Sequence, residues 1–176
     1  MKLSQLLENI NHSGFARDIE VLDVTQDSRQ VKEGSLFVCI AGGNFDGRKV
    51  AEEMLEKGAA AVVTDCDLGL FYQIIVANTR KAYSIICANF FGNPAKKLKL
   101  IGLTVTNGKT TTTFLVKQIL ENSGKRVGLI GTVQNMVCDE IYPAKFTTPE
   151  AYELQSLFAK MVEANCEYCV MEVSSQ

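Results

Sequence analysis

An apolar strand pattern at 98–104 leads through the short loop Val105-Thr-Asn-Gly-Lys109 into a helical pattern from Thr110 to Asn122. No other feature limits the fold as much as this strand–loop–helix unit. Amides at a helix start lack intrahelical acceptors and carry partial positive charge, so such a loop suits phosphate. Gly108 lets backbone approach a ligand closely, Lys109 can reach outer phosphates, and the Thr110 hydroxyl can ligate Mg²⁺. The general pattern G-x-x-x-x-G-K-[ST] fits imperfectly, with Leu103 at its first glycine. A shorter G-x-x-G-K-[ST] fits better but places Val105 at the first glycine. If that position requires positive φ, a β-branched residue there costs on the order of 1–2 kcal/mol. The valine side chain would also crowd the phosphates. The plainer alternative is a strand–turn–helix with a surface lysine.

Strand and helix patterns alternate along the chain, which predicts an α/β fold with a largely parallel sheet. In the first block, residues 3–10 read as helix and 20–25, 35–41, 60–65 and 74–77 as strands. Residues 47–58 read as a helix with Val50, Ala51, Met54 and Leu55 on one face, and 79–92 as another. Asn93-Pro94 and the polar AKKLK stretch mark the expected boundary, giving blocks 1–98 and 99–176. In the second block, Phe114, Leu115, Gln118, Ile119 and Asn122 share a face of the helix after the loop. A strand follows at 127–133 and an extended excursion at 136–142. Thr147 or Thr148 then caps a helix with Pro149 in its first turn. Its buried stripe is Ala151, Leu154, Leu157, Phe158, Met161 and Val162. A last strand is expected at 168–173.

Composition bounds the function. The 176 residues are 47% hydrophobic, enough for one domain or two small ones with a true core. The formal charge of −2 offers no broad basic field for nucleic acid or an anionic membrane. No membrane span or export signal is evident, so a cytoplasmic location is expected. The six cysteines lie mostly among aliphatic neighbours and read as reduced core residues. Cys166 and Cys169 form a C-x-x-C pair without a second pair or a histidine cluster.

The run TVTNGKTTTTFLVKQILENSGKRVGLIGT resembles the ATP loop of the Mur ligases, usually TGTNGKTT. TTPEAYELQSLFAKMVEANCEYCVMEVSS and DSRQVKEGSLFVCIAGGNFDGRKVAEEMLEKGAAAVVTD are similar to further segments of that family, in the branch that adds the third residue of the peptidoglycan stem. The resemblance covers nearly the whole chain, in the right order. It implies a small α/β UDP-binding domain at 1–98, followed by the first part of a P-loop-type, ATP-binding central domain at 99–176. It also implies an ATP-dependent ligase that joins an amino acid to UDP-MurNAc-dipeptide through an acyl phosphate. Val105, Thr106, Asn107, Gly108, Lys109, Thr110 and Thr111 would hold ATP. Lys109 would stabilise charge on the moving phosphoryl group. Thr110 and Glu172 would hold Mg²⁺. Ser28, Gly43, Asn44, Phe45, Thr147, Thr148 and Ser174 would contact the UDP-MurNAc substrate.

Other readings stand beside these roles. Ser28, Gly43 and Asn44 are also turn residues, the two threonines fit helix capping equally well, and Glu172 could be a solvated strand-end carboxylate. Phe146 and Gln176 depart from the family's pattern, as Val105 does. The central domain looks cut short, so the chain alone is expected to be inactive, with the missing C-terminal part as its partner. A non-catalytic UDP-sugar-binding module and a degenerate, truncated homologue are the alternatives.

Overall fold

Two separate sheets organise the chain. The computed structural model describes residues 1–15, 17–42 and 45–174 and divides the chain into the units Met1–Phe90 and Phe91–Gln176. The first unit contains α1 (Leu3–Leu6), β1 (His12–Gly14), β2 (Asp23–Thr25) and β3 (Ser35–Val38). A 3-10 turn at Gly47–Val50 then runs into α2 (Ala51–Glu56), followed by β4 (Ala61–Thr64), β5 (Gln73–Val76) and α3 (Thr79–Phe90). The sheet order is β1-β5-β4-β3-β2, parallel except for β1 against β5. Every residue of β3 and β4 is buried, as expected of central strands covered on both faces. Ala51 and Met54 of α2 enter a cluster with Phe37, Cys39 and Val62, and Val50 and Leu55 pack against it. The helical face read from the sequence is therefore the buried one. The helix expected at 3–10 ends at Leu6, and Asn9 beyond it is left-handed at φ 65°. An asparagine tolerates that conformation where a continuing helix does not.

The second unit carries β6 (Lys99–Leu103), α4 (Lys109–Asn122), β7 (Val127–Ile130), β8 (Gln134–Val137), β9 (Glu140–Pro143), α5 (Ala151–Glu163) and β10 (Tyr168–Glu172). Its order is β6-β10-β7-β8-β9. The chain leaves β6, crosses over through α4 to β7, and β10 later fills the gap between them in parallel with both. The excursion expected at 136–142 is a hairpin of β8 and β9, with β8 antiparallel to β7. Residues Pro94–Lys97 form a 3-10 turn that belongs to this unit, since the division falls after Phe90. Among the described residues no helix is long and apolar enough to cross a membrane.

The two long helices differ in how well sequence anticipated them. Leu157, Phe158 and Met161 of α5 are buried with Ile130, Cys169 and Met171, and Leu154 and Val162 pack against them. Helix α4 does not bury the face expected of it. Leu115 and Ile119 are 53% and 65% exposed, whereas Thr113 and Lys117 are buried. The inward row is Thr113–Lys117, one helical turn apart. The Lys117 ammonium is neutralised by Glu121 on the next turn, which allows a charged residue to lie inside.

Gly128 of β7 determines how close α5 comes to the sheet. A Cβ there would lie 2.4 Å from Sδ of the fully buried Met161. Gly128→Ala is expected to destabilise the chain by about 1–3 kcal/mol through overpacking. Combined with Met161→Ala, it should cost less than the sum of the two single changes, because the methyl enters the vacated space. Urea denaturation of the two single variants and the double variant measures this, and strict additivity would contradict the contact.

Candidate functional site

The parallel register aligns the ends of three strands. Glu172 of β10 pairs with Leu103 of β6, and Met171 pairs with Ile130 of β7. Val173 N–H continues the ladder onto Leu103 O at 2.9 Å. Residues 104–108, 131–133 and 173–174 therefore leave the sheet along one edge, the carboxyl ends of its parallel strands. Open α/β sheets place ligands along such an edge, beside the point where a crossover skips a strand.

The loop after β6 turns into α4 at Gly108, which is left-handed with φ 79° and ψ 8°. Nothing lies within 4 Å of where its Cβ would be, so the need for glycine is conformational rather than steric. Thr112 N–H makes the first helical bond, 2.9 Å to Gly108 O. The amides of Lys109, Thr110 and Thr111 precede that bond and open toward the loop. The Lys109 ammonium folds back to donate to Val105 O at 2.6 Å. Val105 itself is not left-handed and is 49% exposed. The strain expected for a β-branched residue there is absent, because the positive φ sits at Gly108 instead. Thr106 and Asn107 are exposed, as is Thr111.

Glu172 is not a solvated carboxylate, since only 1% of it is exposed. One oxygen accepts from Thr132 N–H at 3.1 Å, the other from Thr132 Oγ1 at 2.9 Å. Gly131 clears the space for it: a Cβ there would stand 2.5 Å from Glu172 Oε1. Thr132 Oγ1 also lies 3.1 Å from Thr147 Oγ1. Thr148 Oγ1 donates to Glu172 O at 3.1 Å and accepts from Ser174 N–H at 3.0 Å. The structure thus joins Thr147 to Glu172 through Thr132, and Ser174 to Glu172 through Thr148; Thr132 was missed by sequence reading although it directly follows the apolar run VGLIG. Neither threonine caps a helix. Helix α5 starts at Ala151 with Glu150 as its N-cap and no capping side chain, and Pro149 lies before it. The two hydroxyls are engaged at the strand ends instead.

In the first unit, Ser28 and Phe45 line one cavity of about 580 Å³ together with Asp27, Arg29, Gly42 and Arg80. Gly43 and Asn44 lie outside the described residues, as does Gln176. Arg80 Nη2 donates to Ala41 O at 3.2 Å, and Arg29 binds the Asp27 carboxylate with two nitrogens at 2.9 and 2.7 Å. Those bonds hold the Asp27 carboxyl below its ordinary range. Arg48 clamps Asp46 in the same way at 2.8 and 2.7 Å and lowers that carboxyl to about 2. The second arginine of the cavity, Arg80, gave no sequence signal beyond its place in the first turn of α3.

Comparison with known proteins fits this geometry. Residues 103–176 match the Mur ligase middle domain, and residues 20–89 match a profile described as Mur ligase family, catalytic domain. The chain belongs to the Mur ligase family. It is 44% identical to a UDP-N-acetylmuramoyl-L-alanyl-D-glutamate–2,6-diaminopimelate ligase of Clostridium botulinum, over 99% of this chain and 38% of that protein. A solved structure of a ligase of that name superimposes with a TM-score of 0.75 at 26% identity, covering 88% of this chain and 32% of the other. A MurF ligase from Thermotoga maritima, solved in complex with ADP, shares the fold with a TM-score of 0.59 at 22% identity, over 91% of this chain and 34% of its own. The chain spans 38% or less of the length of these Mur ligases.

Thr132 is the hub of the strand-end network. Thr132→Val is expected to destabilise the second unit by about 1–3 kcal/mol, because buried Glu172 loses a donor. Thr132→Ser, which keeps the hydroxyl, should restore most of that. Chemical denaturation of the three proteins checks the ranking, and a valine variant as stable as the parent would refute it.

Proposed function

We propose that this chain forms the ATP- and UDP-substrate-binding part of an ATP-dependent ligase that adds the third amino acid to UDP-MurNAc-dipeptide in peptidoglycan synthesis. In the relatives named for their substrates, the amino acid is 2,6-diaminopimelate. The observation that carries the reading is the single edge on which left-handed Gly108, Lys109 and buried Glu172 meet.

In this reading the triphosphate lies on the amides of Lys109, Thr110 and Thr111. The Lys109 ammonium exchanges the Val105 carbonyl for phosphate oxygen, a stronger, charge-assisted partner. The substrate's terminal carboxylate attacks the γ-phosphorus and ADP leaves, giving an acyl phosphate. The amine of the incoming amino acid then attacks the acyl carbon and phosphate departs. Lys109 offsets the negative charge that grows on the transferred group. Thr147, Thr148 and Ser174 stand beside Glu172 where the muramoyl peptide would present its carboxylate. Ser28, Phe45 and Arg80 would face the UDP end, with Arg80 near the diphosphate.

The residues present fit Mg²⁺. Thr110 and Glu172 are hard oxygen donors at adjacent loop and strand ends, and the carboxylate is buried against neutral donors that leave its charge uncompensated. Held by Thr110 and Glu172, a bound Mg²⁺ would supply positive charge to offset the negative charge of the phosphates. Thr132 would keep Glu172 oriented for it.

Ligand titration by calorimetry separates the two sites. Lys109→Ala is expected to weaken MgATP binding by tenfold or more, on the order of the loss of one charge-assisted contact, and to leave UDP binding unchanged. Arg80→Ala should do the reverse. Loss of both ligands, or of neither, in folded variants would overturn the assignment.

A further inference from the structure

Cys138 and Cys166 are the cysteines that meet in this fold. Their sulfurs lie 3.3 Å apart as free thiols, across 28 residues of sequence. Cys169, the other half of the C-x-x-C spacing, lies within β10 and shares the buried core under α5 with Cys166. Cys138 opens the two-residue turn between β8 and β9, where Val137 pairs with Glu140. Its φ is 53°, in the left-handed region that L side chains other than Asn and Asp seldom occupy. The other non-glycine residues with positive φ among those described are all asparagines. A cysteine held there carries backbone strain of the kind that accumulates at functional positions. Cys166 is held from the other side. It follows left-handed Asn165 at the end of α5, and its N–H bonds Met161 O at 2.8 Å in a helix-closing turn.

We propose that Cys138 and Cys166 form a thiol–disulfide exchange site, closed to an intramolecular disulfide by an oxidised low-molecular-weight disulfide such as oxidised glutathione. Half-exposed Cys138 is the entry thiol. Cys166 is 6% exposed, and burial pushes its thiol up to about 12. The Cys138 thiolate attacks one sulfur of the reagent and expels the first thiolate. Cys166, deprotonated in turn, attacks Cys138 sulfur and expels the second. The protein loses two electrons and two protons, and the reagent is reduced to two thiols. The new bond ties the turn of the β8–β9 hairpin to the segment that leads into β10. That end of the sheet is opposite the phosphate loop, so the bond leaves the loop's own contacts in place.

The test is incubation of the whole chain with oxidised glutathione, read by thiol titration under denaturing conditions, peptide mapping and thermal melting. The expected result is a fall from six titratable thiols to four, a Cys138–Cys166 cross-linked peptide, and a midpoint raised by roughly 5–15 °C. Cys166→Ser should stop at a mixed disulfide on Cys138. Cys138→Gly suits the left-handed turn and should fold, but should show no oxidation-dependent rise. Six thiols remaining, or a link joining Cys166 to Cys169, would overturn the proposal.

Discussion

The second unit depends on the parallel pairing of β10 between β6 and β7. Each strand alone ends in an ordinary loop. Held in register by backbone hydrogen bonds, Leu103, Ile130 and Glu172 end side by side, and three loops share one edge. The order of these strands follows from the α4 crossover, which skips one position and leaves room for a strand made later in the chain. The phosphate-loop geometry and the buried carboxylate come from distant stretches of sequence, and only the sheet brings them together.

The burial of Glu172 shows how small residues make a polar site possible. A buried carboxylate is costly unless its oxygens find donors. Here the donors come from one residue, Thr132, through both its amide and its hydroxyl. Glycine at 131 provides the space. Gly128, three residues earlier, gives up its side-chain volume to Met161 of α5. One short β7 run, VGLIG, thereby accommodates a helix with one glycine and a carboxylate with the next.

Much of this was legible in the sequence, for reasons that can be named. Strands β3, β4, β7 and β10 are short apolar runs bounded by turn residues. Helix α5 shows its buried stripe plainly because Leu157, Phe158 and Met161 meet a wholly apolar layer. Helix α4 misled because its inward face is Thr113 and Lys117, and periodicity counts neither as core. The ion pair with Glu121 that makes Lys117 buriable depends on packing, which a pattern of apolar residues does not encode. Thr147 and Thr148 read equally as caps or as ligand contacts, since a hydroxyl before a helix suits both. Only the fold shows the second hydroxyl bonded to the end of β10. Val105 looked like a strained residue because the motif was aligned by its glycines, yet the backbone places its single left-handed residue at Gly108. The Cys138–Cys166 contact had no sequence signal, being 28 residues apart and dependent on the hairpin.

The hydroxyl of Thr148 uses its proton toward Glu172 O and a lone pair toward Ser174 N–H. The segment after β9 and the residues after β10 are therefore latched by one oxygen atom. Neither can shift outward without opening two bonds together. A change felt by one chain segment is passed mechanically to the other, and the strand end carrying the acidic group moves as one piece with the stretch that leads into α5.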